Sequence, residues 1–377
     1  MSGIYIHIPF CKQACHYCDF HFSTSLKKKN EMVLSLAKEI IIRKEEFKNE
    51  IVETIYFGGG TPSVLAIEDL KLLIDTIFKN YTVIENPEIT VEANPDDLDH
   101  ETIRQLANSS INRLSIGIQS FFEDDLKMMN RAHNADEAKK CLEEATKHFD
   151  NISLDLIYGI PGMSNEKWIQ NIETALSFGI PHISSYALTV EPKTALHSFI
   201  QKGIIPPPED EVAQEHFEIL VEKLEEAGFI HYELSNFGKE NYFSKNNSSY
   251  WLGKKYIGIG PSAHSYDGEK RGWNVSNNTL YIKSIQEEKL TIETETLSKT
   301  DRYNEYVMTG LRTIWGISLD RIYTEFGPTY LDYLNQQAAK YIEDHLLFLD
   351  DNILRTTRKG KFLSDGIASD LFLLNLE

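Results

Sequence analysis

Short apolar runs alternate with amphipathic helical segments from the N-terminus to about residue 190. The apolar runs have the length and β-branched content of strands, and the segments between them have the length of helices. The predicted strands are Ile4–Ile8, Thr54–Phe57, Glu88–Glu92, Arg113–Ile118, Ile152–Ile157 and Ser184–Leu188. The predicted helices cover about 29–48, 66–80, 99–109, 122–149 with a break near Arg131, and 165–179.

This alternation predicts an α/β fold. Alternating βα units imply parallel strands joined by right-handed crossovers. Six such units are too few for a closed eight-stranded barrel, so we expect an open, partial (β/α)6 barrel. In folds of this kind the chemistry lies at the C-terminal ends of the strands, and those ends are the first places to look for a site.

The second half of the chain has a different pattern. A charged helix at about 210–228 and a strand at Tyr232–Phe237 lead into a polar segment, and from about residue 285 the chain becomes helical. Lys359-Gly360-Lys361, between two β-like runs, predicts a wing-like hairpin in a smaller, mostly helical, winged-helix-like C-terminal domain. The expected parts are a core domain at 1–237, a bridging segment at 238–285 and the C-terminal domain at 286–377.

Composition narrows the class of protein. The 377 residues carry a formal net charge of −19, and such a surface repels a phosphate backbone, so we expect no nucleic-acid partner. No apolar run approaches the ~20 residues needed to span a bilayer, although peripheral membrane contact stays open. A predicted strand begins near Gly3, so we expect no export signal and a cytoplasmic, reducing location.

Three of the four cysteines, Cys11, Cys15 and Cys18, lie within eight residues directly after the first predicted strand. Thiolates this close repel one another unless a cation lies between them, which predicts an iron–sulfur cluster or zinc. The second cysteine pair of a structural zinc site is missing, yet His16 or His21 could complete one. Three unliganded buried cysteines are the remaining alternative.

The other predicted strand ends also carry polar or glycine residues. Gly58-Gly59-Gly60-Thr61 follows the second strand, where backbone can approach a ligand closely and offer N–H groups to a carboxylate or carbonyls to an amine. Glu92, Gln119 and Asp155 lie at or near the ends of three further strands. Cys141 lies among Ala and Leu in a predicted helix, and we expect it in the core.

The Cys-x3-Cys-x2-Cys spacing, with Tyr17 before the third cysteine, resembles the cluster-binding loop of the radical S-adenosylmethionine (SAM) superfamily. The flanking YIHIPF and DF narrow the resemblance to the branch of oxygen-independent coproporphyrinogen III oxidase and its HemW-type heme-chaperone relatives. The similarity spans nearly the whole chain. It implies that Cys11, Cys15 and Cys18 hold a [4Fe-4S] cluster with one iron left open for SAM.

The resemblance also implies a role for single residues at the SAM site. These are Tyr5 beside SAM, Gly59, Gly60 and Thr61 at its amino group, Glu92 as a carboxylate of the site, Gln119, Arg131 and Asp155 at the methionine and ribose portions, and Ala187 on the adenine side.

Two departures separate this chain from the oxidase members of the branch. The resemblance implies a fourth cysteine where this chain has Phe20, and an N-terminal extension where only four residues precede Tyr5. Both point toward the heme-chaperone group, which has a His-Asn-x-x-Tyr-Trp motif. Here Asn246 replaces the histidine, and an amide is a poor ligand for heme iron. The heme candidates are Asn247, Tyr250, Trp251 and His264.

The leading hypothesis is a heme chaperone of the radical SAM fold that binds a [4Fe-4S] cluster, SAM and heme. Its expected partners are heme or porphyrin, heme-accepting apoproteins and an electron donor for the cluster. Oxygen-independent coproporphyrinogen III oxidase is the enzymatic alternative, although Phe20 stands where that activity implies a cysteine. A zinc-binding structural protein is the more distant alternative.

Overall fold

A computed structural model gives the structure of residues 2–374. The strands are β1 Ser2–Ile8, β2 Val52–Gly59, β3 Val83–Ala93, β4 Arg113–Gln119, β5 Ile152–Tyr158, β6 His182–Ala187, β7 Ile230–Glu233, β8 Asn236–Gly238, β9 Tyr256–Ile259, β10 His264–Tyr266, β11 Lys270–Asn274, β12 Ile292–Thr296, β13 Ile317–Ser318, β14 Leu347–Asp350 and β15 Ile353–Thr356. The α-helices are α1 Lys29–Ile42, α2 Ile67–Asn80, α3 His100–Ala107, α4 Glu123–Met128, α5 Ala135–Ala145, α6 Asn165–Ser177, α7 Ala195–Gln201, α8 Asp210–Glu226, α9 Lys245–Trp251, α10 Asn278–Gln286, α11 Lys299–Leu311, α12 Leu319–Arg321, α13 Pro328–Glu343, α14 Arg358–Lys361 and α15 Ser364–Asp370.

Six parallel strands, β1 to β6, lie side by side in chain order, which confirms the expected partial barrel. Beyond β1 the sheet continues with β9, which is parallel to β1, and then with β10, β11 and β12, which are antiparallel. Beyond β6 it continues with the antiparallel pair β8 and β7. The barrel is therefore open, and both edges are extended by antiparallel strands.

Alternation along the strands separates an apolar layer from a polar interior. On β1, Ile4, Ile6 and Ile8 are fully buried in the main hydrophobic core, and each such side chain contributes ~1.5–3 kcal/mol by burial. Tyr5 and His7, between them, face the other way, and the Tyr5 ring lies 6.1 Å from that of Tyr56 on β2. The barrel interior is thus lined by polar side chains, although the residues are deeply buried.

The predicted helix at 122–149 is broken as expected. The first part, α4, ends at Met128, and Asn130 then adopts a left-handed conformation with φ of 56°. Asn134 begins α5 with a capping box, in which its side chain accepts from the N–H of Glu137 and the Glu137 carboxylate accepts from the N–H of Asn134. The break brings Arg131 to the end of the barrel where β1 and β4 terminate.

One expectation for the middle of the chain is wrong in detail. The strand predicted at Tyr232–Phe237 is two short antiparallel strands, β7 and β8, because the chain turns between them. The polar segment that follows contains the start of α9. Ser244 caps that helix by accepting from the N–H of Asn247, and its first N–H groups also donate to the Glu88 carboxylate.

The C-terminal part has its own hydrophobic core, built from α11, α13, α15 and the small sheet β13-β15-β14. The hairpin is β14–β15, and its turn residues Asp351 and Asn352 both have positive φ, which suits a tight two-residue turn. The prediction of a hairpin around Lys359–Lys361 is therefore wrong, because that stretch forms α14, which is capped by Thr357. Within residues 2–374, no helix is long and apolar enough to cross a bilayer.

The division of the chain at 1–237, 238–285 and 286–377 stays a proposal. Strand β12, which falls in the third range, pairs with β11 of the large sheet. Met1 and residues 375–377 of the outer ranges lie outside the described part of the chain.

Candidate functional site

The cysteine loop leaves the C-terminal end of β1 and turns back on itself. The N–H of Cys11 donates to the Ser23 carbonyl (3.1 Å), and the N–H of Ser23 donates to the Pro9 carbonyl (3.0 Å). Inside the loop the N–H of Cys18 donates to the Cys15 carbonyl (3.4 Å). These bonds place all three cysteines in one tight turn at the open end of the barrel.

Neighbouring segments hold this loop from outside. The Gln13 side chain donates to the Asn130 carbonyl (2.8 Å), and the Asn130 side chain donates back to the Ala14 carbonyl (2.7 Å). His16 donates from Nδ1 to the Met128 carbonyl (2.8 Å). The left-handed turn between α4 and α5 therefore fixes the loop, although it is more than 100 residues away in sequence.

The thiols form a set of donors for soft metals. All four cysteines of the chain are free, and burial raises the pKa of Cys11 and that of Cys18 to about 11, with smaller increases from the neighbouring thiols. Thiolate formation there is unfavourable without a cation, and a bound metal would supply one. His21, an alternative zinc ligand, hydrogen-bonds from Nε2 to Asn278 Oδ1 (2.8 Å).

The spacing of the three sulfur atoms indicates whether the loop suits an iron–sulfur cluster or a single metal ion. Within residues 2–374, only one set of three His, Cys, Asp or Glu side chains has donor atoms within 4.8 Å of one another, and it contains no cysteine. At least two of the three sulfur atoms therefore lie more than 4.8 Å apart, which is farther than two ligands of one ion. Such a spread fits a multi-iron cluster, whose thiolates bind different iron atoms.

The glycine run after β2 packs directly against the cysteine loop. The N–H of Gly60 donates to the Ile8 carbonyl (2.9 Å), and that of Thr61 donates to the Phe10 carbonyl (2.7 Å). The expectation that these N–H groups are free to bind a carboxylate is thus wrong, because the loop itself uses them. The N–H of Gly59 reaches the Glu92 carboxylate, so the backbone carbonyls are what the run can offer to an amine.

Arg131 joins the cysteine loop to the strand ends. Its guanidinium donates to Cys15 Sγ (3.3 Å), to Asn94 Oδ1 (2.7 Å) and to the Gly117 carbonyl (2.8 Å). The pKa of Arg131 is raised, since the effects of Tyr17 and Cys15 outweigh its burial, which acts in the opposite direction. A fixed positive charge therefore lies beside one of the three thiols.

Two carboxylates lie deeper in the barrel. Tyr56 donates to Glu92 Oε1 (2.7 Å), and Ser115 donates to Asp155 Oδ1 (3.4 Å). Burial raises the pKa of Asp155 to about 6, and burial together with the charge of Asp155 raises the pKa of Glu92 to about 7. A cation bound in the interior would relieve this cost, so the pair suits a positively charged ligand such as a sulfonium or an ammonium.

The remaining SAM candidates lie around the same interior. A Cβ added at Gly58 would lie 2.9 Å from the Tyr5 ring and 3.1 Å from Glu92 Oε1, which places those two side chains together. Gln119 has φ of 68°, an unusual backbone for a non-glycine residue, and its side chain lies over Gly117 beside Arg131. Ala187 ends β6, paired with Tyr158 of β5.

The heme candidates do not form one cluster. Tyr250 and Trp251 line a cavity of about 300 Å³ between the barrel and the C-terminal domain, whereas Asn247 and His264 are not part of its lining. His264 lies exposed on β10, with its ring 6.1 Å from that of Trp273. Asn246 is buried and its Oδ1 accepts from Thr54 (3.1 Å), so it points into the barrel.

Sequence reasoning missed several polar residues of the interior. Asn94 bridges Thr61 and Arg131, and Arg113 is fully buried with its guanidinium 3.5 Å from His182 Nδ1. For Arg113 the sequence did carry a signal, because it is a charged residue at the start of an otherwise apolar strand. A buried charge of this kind must pair with another group or face a ligand.

Comparison with known proteins gives two family matches. The profile of the radical SAM superfamily matches residues 5–175, and that of the HemN C-terminal domain matches residues 297–363. The chain is 36% identical to the heme chaperone HemW of Bacillus subtilis, with 97% of this chain and 98% of that protein covered. It is 33% identical to the heme chaperone HemW of Lactococcus lactis, with 99% and 97% covered.

Two further matches extend the range of relatives. The mitochondrial radical S-adenosyl methionine domain-containing protein 1 of Danio rerio is 31% identical, with 100% of this chain and 88% of that protein covered. The solved structure of coproporphyrinogen III oxidase (HemN) from Escherichia coli superposes with a TM-score of 0.84 over 98% of this chain and 90% of that one. At 21% identity this last likeness concerns the fold alone.

Proposed function

Because the chain belongs to the HemW family of heme chaperones within the radical SAM superfamily, we propose that it binds heme and delivers it to heme-dependent apoproteins. The observation that carries this proposal is similarity to heme chaperones over 97–99% of the chain. Phe20 supports it, since this residue is exposed at the position where the oxidase branch implies a fourth cysteine.

We propose that Cys11, Cys15 and Cys18 hold a [4Fe-4S] cluster, and that SAM binds between this loop and the barrel interior. When bound, the two together supply one-electron chemistry. The protein's own groups have defined tasks: the Arg131 guanidinium offsets thiolate charge at Cys15, and the Glu92 carboxylate offsets a cationic ligand.

The other candidate SAM contacts are proposed on the same basis. The carbonyls of Gly59 and Gly60 would accept from the SAM amino group, since the N–H groups there are used. Thr61 belongs to the same proposed contact set, although its carbonyl already accepts from the N–H of Val64 (3.1 Å). Tyr5, Gln119 and Asp155 line the same interior, and Ala187 lies at the C-terminal end of β6 with its side chain against the hydrophobic core. These four residues complete the proposed contact set. Heme would use Tyr250 and Trp251, whereas Asn247 and His264 lie outside that cavity.

The proposed setting is the cytoplasm, with an electron donor for the cluster and apoproteins as heme acceptors. The residue that replaces the family histidine, Asn246, is buried against Thr54, so we propose that the heme iron takes another ligand. Tyr250 lines the cavity, but burial raises the pKa of its hydroxyl, which hydrogen-bonds to Asn246, and this disfavours the phenolate that iron ligation would need.

The test uses one anaerobically reconstituted preparation in two assays. Heme titration should give a shifted Soret band that saturates at micromolar heme, and incubation with coproporphyrinogen III, SAM and reductant should give no protoporphyrinogen IX. Saturable heme binding without conversion supports the chaperone. Conversion without saturable heme binding would instead support coproporphyrinogen III oxidase activity.

A further inference from the structure

A cavity of about 300 Å³ lies where the edge of the large sheet meets the C-terminal domain. The barrel side contributes Tyr250, Trp251 and Arg271, and the C-terminal side contributes Arg302, Tyr306 and Arg321. This volume is at the lower end of the ~300–1,000 Å³ range of ligand pockets. The cavity can enclose one edge of a large flat ligand while the remainder stays exposed.

The cavity is lined by three arginines but only two glutamates, so one arginine has no carboxylate partner there. Arg271 is paired with Glu305, and Arg321 Nε donates to Glu325 Oε1 (2.9 Å). These are the two glutamates of the lining, so the third arginine, Arg302, has no carboxylate there. In residues 2–374 its side chain makes no hydrogen bond or ion pair, and its Nε is buried.

An unpaired guanidinium nitrogen that is buried is costly, because its hydrogen bonds to water are lost without replacement. The Nε of Arg271 is also buried and without a partner in the described chain. The positive charges of Arg302, Arg321 and Arg271 all act on the hydroxyl of Tyr266, where they oppose the rise in its pKa that burial causes. The three guanidiniums therefore converge on one region.

The walls of the cavity are aromatic. The Arg321 guanidinium lies 4.2 Å from the centre of the Tyr306 ring, and the Tyr250 ring meets that of Tyr256 edge-on at 4.6 Å. Trp251, on the same helix as Tyr250, has the Arg312 guanidinium 5.3 Å from its ring. Aromatic surfaces with convergent guanidiniums suit a flat, apolar ligand that carries carboxylates at one edge.

From this arrangement we propose that the cavity receives the two carboxylates of a porphyrin, with Arg302 as their principal partner and Arg271 and Arg321 beside it. This assignment rests on the proposed function and names the part of the ligand that is recognised. The chain as a whole carries a net charge of −19, so a cavity with excess positive charge is an exception on this surface. The porphyrin face would lie against the aromatic wall of Tyr250 and Trp251.

The test compares ferric heme with its dimethyl ester, which has the same ring and iron but no carboxylates. Both are titrated into the wild-type holoprotein, Arg302→Gln, and the control Arg104→Gln, which alters an exposed arginine of α3 paired with Glu101. A charge-assisted hydrogen bond contributes ~1.5–3 kcal/mol, so Arg302→Gln should weaken heme binding roughly tenfold to a hundredfold. The ester should bind weakly to all three proteins, without a difference between them.

Each outcome decides the question. Equal affinity of heme and ester for the wild type would overturn the proposal, and this comparison needs no folded variant. Equal heme affinity of Arg302→Gln and wild type would also overturn it, while the heme-chaperone function would stand. Absence of heme binding by the wild type would overturn both.

Discussion

At the scale of single residues, the barrel interior buries ionisable side chains, and this burial shifts their pKa values. Glu92, Asp155 and Arg113 lie within reach of one another's charge, yet Glu92 is not fully compensated. An interior that is polar but short of positive charge is suited to a cationic ligand, and it makes stability depend on pH.

The pH dependence has a definite sign. The pKa of Glu92 is about 7 in the folded protein against 4.5 in the unfolded chain, so the folded state holds more protons between these values. The free energy of unfolding of the apoprotein should therefore fall as pH rises from 4.5 to 7, by about 3 kcal/mol from this group. In Glu92→Gln the fall should be smaller, as measured by urea unfolding across this range.

The matched control is Glu68→Gln, which changes an exposed carboxylate on α2. It should keep the wild-type pH profile. An unchanged profile in Glu92→Gln would show that the carboxylate is not buried in its charged form at neutral pH.

A second residue-scale prediction concerns the contact between the glycine run and the cysteine loop. A Cβ at Gly60 would lie 2.6 Å from the Phe10 carbonyl and 2.7 Å from the Ile8 carbonyl, and backbone cannot move aside cheaply. Gly60→Ala should destabilise the protein by ~1–3 kcal/mol and lower the iron content after reconstitution. Gly366→Ala, a helical position with nothing within 4 Å, is the control and should be neutral or slightly stabilising.

At the scale of elements, the α4–α5 break matters because it positions Arg131 and Asn130 against the cysteine loop. Asn134→Ala removes the cap of α5 and should cost about 1 kcal/mol in urea unfolding. Glu137→Gln keeps an acceptor for the N–H of Asn134 and should cost much less. Equal losses in both variants would mean that the carboxylate charge, not the cap geometry, stabilises this helix.

The six parallel strands could be predicted because each is a local apolar run bounded by turn residues, and their order follows from the βα repeat. Helix α9 was missed because its sequence, KNNSSYW, is polar and its cap, Ser244, is one serine among several. The C-terminal hairpin was misplaced because Leu347–Asp350 has its side chains mostly exposed and lacks strand alternation. Such elements depend on long-range partners that sequence periodicity does not encode.

Site prediction has a similar limit. The cysteines could be found from spacing alone, since three thiols in one turn require a common partner. The unpaired Arg302 could not, because its isolation depends on which carboxylates Arg271 and Arg321 use. Pairing of charges across a domain boundary is a property of the folded chain, not of any local stretch.

At the scale of the whole molecule, the C-terminal domain contacts the β7 edge of the large sheet through both aromatic and polar side chains. Lys361 of α14 donates from Nζ to the His231 carbonyl on β7 (3.0 Å). Burial lowers the pKa of Lys361 to about 8, despite the nearby Glu225 and Glu233. The two domains therefore share a lysine whose charge is costly at neutral pH.

The free energy of unfolding should therefore depend on pH above pH 8. The unfolded chain holds more protons than the folded protein between pH 8 and the ordinary lysine value of 10.5, so the free energy of unfolding contributed by Lys361 should rise with pH there, by at most about 3 kcal/mol. Lys361→Met keeps an unbranched apolar side chain but has no titratable group, so the free energy of unfolding should not increase over this range. Urea unfolding at pH 8, 9 and 10 would measure the difference. A rise of equal size in the variant would place the source of the effect elsewhere.

Transfer of bound heme to an acceptor protein distinguishes a heme chaperone from a protein that only binds heme. The heme-loaded, reconstituted protein is mixed with an apo-hemoprotein, and the Soret spectra of the two proteins are recorded after separation. Heme should leave this chain and give the acceptor its native holoprotein spectrum, faster than heme that is supplied as a complex with albumin at the same concentration. Heme that stays on the chain, or that reaches the acceptor no faster than from albumin, would contradict the proposed delivery of heme.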